Sequence, residues 1–302
     1  MSSWPWMRGT GSRVDGASWA EDTTPPIDPV GANDVRVAVH DVIRDHQEQI
    51  DAVRAGIEKD PLYEKNKHDD LWIVRFVLSH KKKIKPAIAA AKETLLFRHE
   101  HDLDAHDIRS FAPHTVKEGR VKEYWDVRCP GNALILTLPD PQRGVVTFID
   151  VGCLVPGASD QLSYDTWEYA YIYSMEWTHQ WVDYITRTTG RLTRSIRIVN
   201  MKSFQLSSYN RKDMKFDAKV MAKTENCYPQ LLESIQGCNV PAVVHGIWAL
   251  VRAILPKRAV EKFDIMNPKE NKRERESLYR HISADHLPVE HGGLNTVSPR
   301  DW

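Results

Sequence analysis

Along the first third of the chain apolar residues recur every three or four positions, the spacing of one helix face. Asn33 or Asp34 is placed to cap a helix carrying Val35, Val39, Val42, Ile43 and Ile50. A second helix begins behind Asp69-Asp70 and is strongly apolar from Leu71 to Leu78. Pro86 suits the first turn of a third, which carries Ile88, Ala91, Leu95 and Leu96. Nothing from 33 to about 107 signals a strand. After about Pro113 the pattern changes. Positions 133–138 and 145–151 are short apolar runs around Pro139-Asp140-Pro141-Gln142-Arg143-Gly144, which reads as two strands and a turn. Between 164 and 187, Trp167, Ala170, Tyr171, Ser174, Thr178, Trp181 and Ile185 return to helical spacing. Positions 195–199 alternate Ile with Ser, Arg and Val, and read as a strand. Helix is then expected over 207–226, strand over 232–240, helix over 241–255, strand over 262–266 and a charged helix over 269–283. Strands that alternate with helices predict an α/β fold with a mostly parallel sheet and helical crossovers.

The first 32 residues are punctuated by Gly, Ser, Thr and Pro and bury too little apolar surface to offset their ordering entropy, so they are expected to form a disordered tail. Trp4, Trp6 and Trp19 are unusual there, because indole rings favour a membrane interface. Over the whole chain 41 basic residues balance 41 acidic ones, which speaks against a nucleic-acid coat. A content of 41% hydrophobic and 27% charged residues is that of a globular protein. Cys129, Cys153, Cys227 and Cys238 form no CxxC pair, so they are expected to be mostly buried thiols in a reducing compartment. The longest apolar stretch, 240–255, is interrupted by His245 and Arg252 and falls short of the ~20 residues of a membrane span.

Few residues offer catalytic chemistry. His99, His101 and His106 lie among Glu100, Asp102, Asp104 and Asp107, but the spacing is not HExxH, and the ordinary reading is a solvated helix end. A hydrolase built on that cluster is the remote alternative. Gly9-Thr10-Gly11 follows no strand and opens no helix, and no GxSxG is present. No catalytic residue, cofactor or metal is therefore assigned. The run Lys81, Lys82, Lys83 is either a solvated loop between helices or a contact for an anionic surface, where each Lys contributes ~1 kcal/mol. The segment 241–255 is greasy around nearly its whole circumference, leaving only a stripe of His245, Ala249 and Arg252. Such a helix is either a central core element or a lid with one face on an apolar cavity and the other on a bilayer. Gly246 in its middle costs ~1 kcal/mol relative to Ala and is compatible with a hinge or with close packing.

The tracts around that segment carry a resemblance. Asn226-Cys227-Tyr228-Pro229-Gln230, Cys238-Asn239-Val240-Pro241 and Leu287-Pro288-Val289-Glu290-His291-Gly292-Gly293 follow in the order of an N-Y-P-E tract, an I-N-A-P tract and a closing L-P-x-E-x-G-G. Asp69-Asp70, Arg75-Phe76 and Phe97-Arg98 stand upstream where a helical cap has an acidic pair, an R-F pair and a W-R pair. The chain thus resembles the Sec14-like, or CRAL-TRIO, family of lipid-transfer proteins from about 33 to 295.

The resemblance implies a helical cap over 33–110, then a lipid-binding domain over 111–296 whose sheet floors a hydrophobic pocket, with a short tail over 297–302. It implies a gate made of Val243, Val244, Ile247, Trp248, Val251 and Ile254. It also places four head-group positions of phosphatidylinositol-binding members at His80, Gln230, Ala259 and Lys262, of which only the Lys is kept. That points away from phosphatidylinositol and leaves phosphatidylcholine, another phospholipid, or an isoprenoid or sterol-like molecule. Lys257 and Arg258, with Lys81, Lys82 and Lys83, are expected to dock on anionic lipid. The expected protein is a cytoplasmic monomer with transient peripheral membrane association, no cofactor and no nucleic-acid partner. Its role is lipid transfer or, alternatively, lipid-sensing presentation to a partner such as a lipid kinase.

Overall fold

The computed structural model describes residues 36–138, 143–205, 207, 210–241, 252, 257–266 and 271–301. Helices α1 (Val39–Arg44), α2 (Gln47–Ile57), α3 (Asp70–Ser79) and α4 (Ile84–Glu100) come first. The helix expected from Asn33 or Asp34 through Ile50 is split and starts at Val39. The reason is tertiary. Ala38 forms a β-bridge to Arg191, and the Val39 N–H donates to the Gly190 carbonyl at 2.9 Å, so the chain is still extended at Ala38. His46, at φ −127° and ψ 15°, then turns α1 into α2. For α3 the expected cap is present: the Asp69 carboxylate accepts the Trp72 N–H at 3.0 Å. Ile50, Val53, Ile57, Ile73, Phe76, Val77, Ala87 and Ala91 from α2, α3 and α4 meet in one fully buried cluster.

Helix α5 (Gly119–Arg128) was not expected, since the pattern there was read as the change towards strands. It buries Val121, Tyr124, Trp125 and Arg128, which keep the i, i+3, i+4, i+7 spacing of a helix face.

Strands β1 (Leu134–Thr137), β2 (Val146–Asp150), β3 (Ser195–Asn200), β4 (Leu232–Cys238) and β5 (Phe263–Met266) form a sheet in the order β1-β2-β3-β4-β5. β1 runs antiparallel to β2, and the remaining pairings are parallel. Crossovers are made by α6 (Tyr164–Thr189) between β2 and β3, and by α7 (Arg211–Thr224) between β3 and β4. Helix α7 starts four residues later than expected, where the Asn210 side chain accepts the N–H groups of Lys212 and Asp213. Two short helices, α8 (Lys257–Glu261) and α9 (Lys272–Leu278), flank β5, and α9 is shorter than the helix expected over 269–283.

One face of the sheet is packed solid. Val146, Phe148, Ile196, Ile198 and Cys238 pack there with Leu278, Ile282 and Leu287. The closing L-P-x-E-x-G-G tract is part of this packing. A Cβ on Gly293 would lie 1.8 Å from the Leu287 carbonyl oxygen, and Gly292 sits at φ +84°. Only glycine fits both positions without strain.

The cap is held to α6 by buried charge. Arg98 donates two hydrogen bonds to Glu176, at 3.0 and 3.1 Å, and a third to Asp104 at 2.7 Å. Glu176 also accepts from the Tyr228 hydroxyl at 3.2 Å and from Gln180 at 3.0 Å. Arg75 lies 3.5 Å from Asp183 and donates to Thr186 at 3.2 Å. A buried pair with every partner present is tolerated, whereas one orphaned charge is not. Arg98→Met is expected to lower the unfolding free energy by about 3–5 kcal/mol, read as a lower urea midpoint at unchanged slope, and Glu176→Leu in the same chain to recover part of that loss.

Candidate functional site

The other face of the sheet is not filled. A cavity of about 750 Å³ lies between it and helices α5, α6 and α7. Because side chains alternate along a strand, its floor takes every second residue: Leu134 and Leu136 of β1, Thr147 and Ile149 of β2, Ser195 and Arg197 of β3, and Leu232 of β4. Tyr124 and Trp125 of α5, Tyr171, Ser174, Met175 and Thr178 of α6, and Met214 and Met221 of α7 complete the walls. Methionines suit such a wall, since their flexible thioethers adapt to ligand shape.

Part of the cavity is lined by exposed or half-buried polar residues. His80, Lys81 and Lys83 reach it from the end of α3 and the following loop, Gln230 from the segment before β4, and Lys257 and Lys262 from α8 and just beyond it. Three segments far apart in sequence thus bring His80, Gln230 and Lys262 to one mouth. Lys82 does not line the cavity; it is exposed in the same loop, at φ +64°. Gln230, at φ +58°, donates from its backbone N–H and from its amide to the Ser79 hydroxyl, at 3.1 and 3.3 Å. The Lys262 ammonium donates to the Leu232 carbonyl. Lys257 is 89% exposed and lies 3.9 Å from Glu261 on the same helix. The gate residues Val243, Val244, Ile247, Trp248, Val251 and Ile254 lie outside the described residues, as do the side chains of Arg258 and Ala259.

The N-Y-P tract joins mouth and cap. Asn226 donates to Glu93 at 2.9 Å, its carbonyl accepts from Thr94 at 3.2 Å, and the Tyr228 hydroxyl reaches Glu176. The cavity is also lined by charges that sequence reasoning did not assign to the site. Asp217 of α7 accepts from the Trp167 indole at 2.9 Å and lies 4.0 Å from Arg128. Burial pushes its carboxyl above the usual range, against the pull of Arg128. Arg197 meets the Met175 sulfur at 3.5 Å and lies beside the Tyr171 hydroxyl, whose pKa burial raises against the pull of the guanidinium. The alternation of 195–199 was the available signal, since it put Arg197 on the same face as Ser195 and Val199.

Among the described residues no group of three or more side chains is arranged to hold a metal. His101 is not at a solvated helix end: it is buried, its ring centroid 4.5 Å from that of Phe97, and burial lowers its pKa. Cys129, Cys227 and Cys238 are buried, and burial pushes each thiol up to about 12, so none is a thiolate at neutral pH. Among the described residues no helix is long and apolar enough to cross a membrane.

The comparisons with known proteins agree with this architecture. Patellin-4 of Arabidopsis thaliana is 31% identical over 84 residues, which is 28% of this chain and 15% of that protein's length. The crystal structure of Sfh5 superposes with a TM-score of 0.51 at 18% identity, covering 76% of this chain and 81% of the other, a likeness of fold. The CRAL/TRIO domain family model matches residues 131–293, more than half of the 302. The chain therefore belongs to the CRAL/TRIO family, which is known for binding and transferring lipids and other small hydrophobic molecules.

Proposed function

We propose that this protein binds a phospholipid or another poorly soluble amphiphile in the cavity and carries it between membranes. The observation that carries the reading is the cavity itself, walled by Leu134, Leu136, Ile149, Met214 and Met221 and open towards a rim of basic side chains. Each methylene leaving a bilayer for water costs ~0.8 kcal/mol, so a carrier must replace one apolar environment with another. In this reading the segment 241–255 is the door, with Val243, Val244, Ile247, Trp248, Val251 and Ile254 as its apolar surface. Exposing that surface is unfavourable in water and neutral in lipid, so opening is coupled to docking. His80, Gln230 and Lys262 face a head group at the mouth. Lys81, Lys82, Lys83, Lys257 and Arg258 attract the anionic membrane that supplies or receives the cargo.

Three outcomes test this reading. Ser174→Trp, which inserts an indole into the cavity from α6, is expected to abolish co-purifying lipid in native mass spectrometry and to lower vesicle-to-vesicle transfer at least tenfold, with far-UV circular dichroism unchanged; transfer at the wild-type rate would refute the cavity as the cargo site. Trp248→Asp and Ile247→Asp are expected to stop transfer without unfolding the protein, and normal transfer by both would remove the gate. Lys257→Glu with Arg258→Glu is expected to weaken flotation with phosphatidylserine-containing vesicles, more at low salt than at high salt. Equal flotation at every salt concentration would remove electrostatic docking.

A further inference from the structure

We infer that Arg197 anchors a carboxylate or phosphate of the cargo inside the cavity. This inference rests on the carrier reading and gives that cargo a chemical class: an anionic amphiphile. β3 is the middle strand of the sheet, paired in parallel with β2 and β4, and such strands are ordinarily apolar on both faces. A guanidinium at its centre, projecting into a cavity, needs a reason.

The three buried arginines among the described residues show what that reason usually is. Arg75 has Asp183 at 3.5 Å, Arg98 has Glu176 at 3.0 Å, and Arg128 has Asp213 at 3.1 Å. Arg197 has no carboxylate within 4.0 Å among the described residues. Its contacts are a hydroxyl, on Tyr171, and a thioether, on Met175. Neither neutralises the charge, and the five N–H donors of a guanidinium exceed what these two groups accept. The nearest candidate, Asp217, lines the same cavity and feels the charge of Arg197, but it feels Arg128 more strongly, lies 4.0 Å from it, accepts the Trp167 indole and makes no ion pair with Arg197. Directly across the strands, in register with Arg197, stands Thr147 of β2, whose side chain lines the same cavity. The geometry therefore offers a planar, fork-shaped cation with a hydroxyl-bearing neighbour, facing space. That set matches a carboxylate or phosphate, which accepts two parallel hydrogen bonds from one guanidinium.

The test uses the full chain and three probes with one tail: oleate, oleyl phosphate and oleyl alcohol, each competing with a fluorescent apolar dye. Wild type is expected to bind at least one of the two anions about tenfold to hundredfold more tightly than the alcohol, as a charge-assisted pair in a dry site requires. Which anion is preferred distinguishes a carboxylate cargo from a phosphate cargo. Arg197→Met is expected to bind the alcohol as wild type does and to lose the preference. Arg197→Lys, which keeps the charge without the fork, is expected to retain a smaller preference and serves if the Met variant does not fold. Lys272→Gln, which removes an exposed charge that does not line the cavity, is expected to keep the preference in full. The inference is overturned if wild type binds the three probes alike, if the preference survives Arg197→Met, or if it disappears in Lys272→Gln. Equal binding of all three leaves the carrier reading standing, whereas no binding of any probe together with no vesicle transfer brings both down.

Discussion

The ion pair between Arg98 and Glu176 fixes how the two halves of the molecule meet. Arg98 stands on the last turn of α4 and Glu176 in the middle of α6, so their two hydrogen bonds set the angle and height of the cap on the long helix of the CRAL/TRIO region. Tyr228 shares the same carboxylate, which ties the tract leading to β4 into the junction. Arg75 repeats the device about two turns further along α6, at Asp183. Removing such groups from water is unfavourable unless each meets opposite charge, so few other dockings bring both arginines to a carboxylate. The R-F and W-R pairs of the sequence motif have a physical content here: an arginine aimed across the interface and an aromatic ring buried beside it.

From this junction the cavity follows. The end of α3 and the loop after it, Leu78 to Lys83, are carried to the segment that leads into β4, where Gln230 hydrogen-bonds Ser79, and the rim is assembled from pieces that share no local sequence. The two faces of the sheet then differ in kind. Ile196 and Ile198 pack against Leu278, Ile282 and Leu287 with no space left, whereas Ser195 and Arg197 between them face open volume. A strand that alternates so sharply in its polarity belongs to a sheet with one dry solid side and one side meant to be occupied.

Much of this was legible in the chain. The helical spacing of α3, α4 and α6 and the apolar runs of the strands rest on local periodicity, and tertiary contacts did not overturn it. The break between α1 and α2 was not legible, because it depends on a β-bridge to Arg191, more than 150 residues away. Helix α5 kept its apolar spacing, but Arg120, Lys122, Glu123 and Asp126 dilute it, and Gly119 at φ +74° disguises its start. At the mouth, family resemblance placed His80, Gln230 and Lys262 in one site. Arg197 and Asp217 were missed for a different reason: a charged residue in a pattern reads as solvent-facing, and nothing local distinguishes bulk solvent from the hollow of a protein.

The region matched by the family begins at residue 131, yet Tyr124, Trp125 and Arg128 wall the cavity from α5, and Leu78, Ser79 and His80 frame its rim from the cap. Excising 131–293 as a module would leave an open trough instead of a vessel, stripped of one flank and half its lip. The boundary drawn by sequence likeness is therefore a boundary of common ancestry, while the smallest piece of chain able to shelter a greasy molecule is set by where its walls come from.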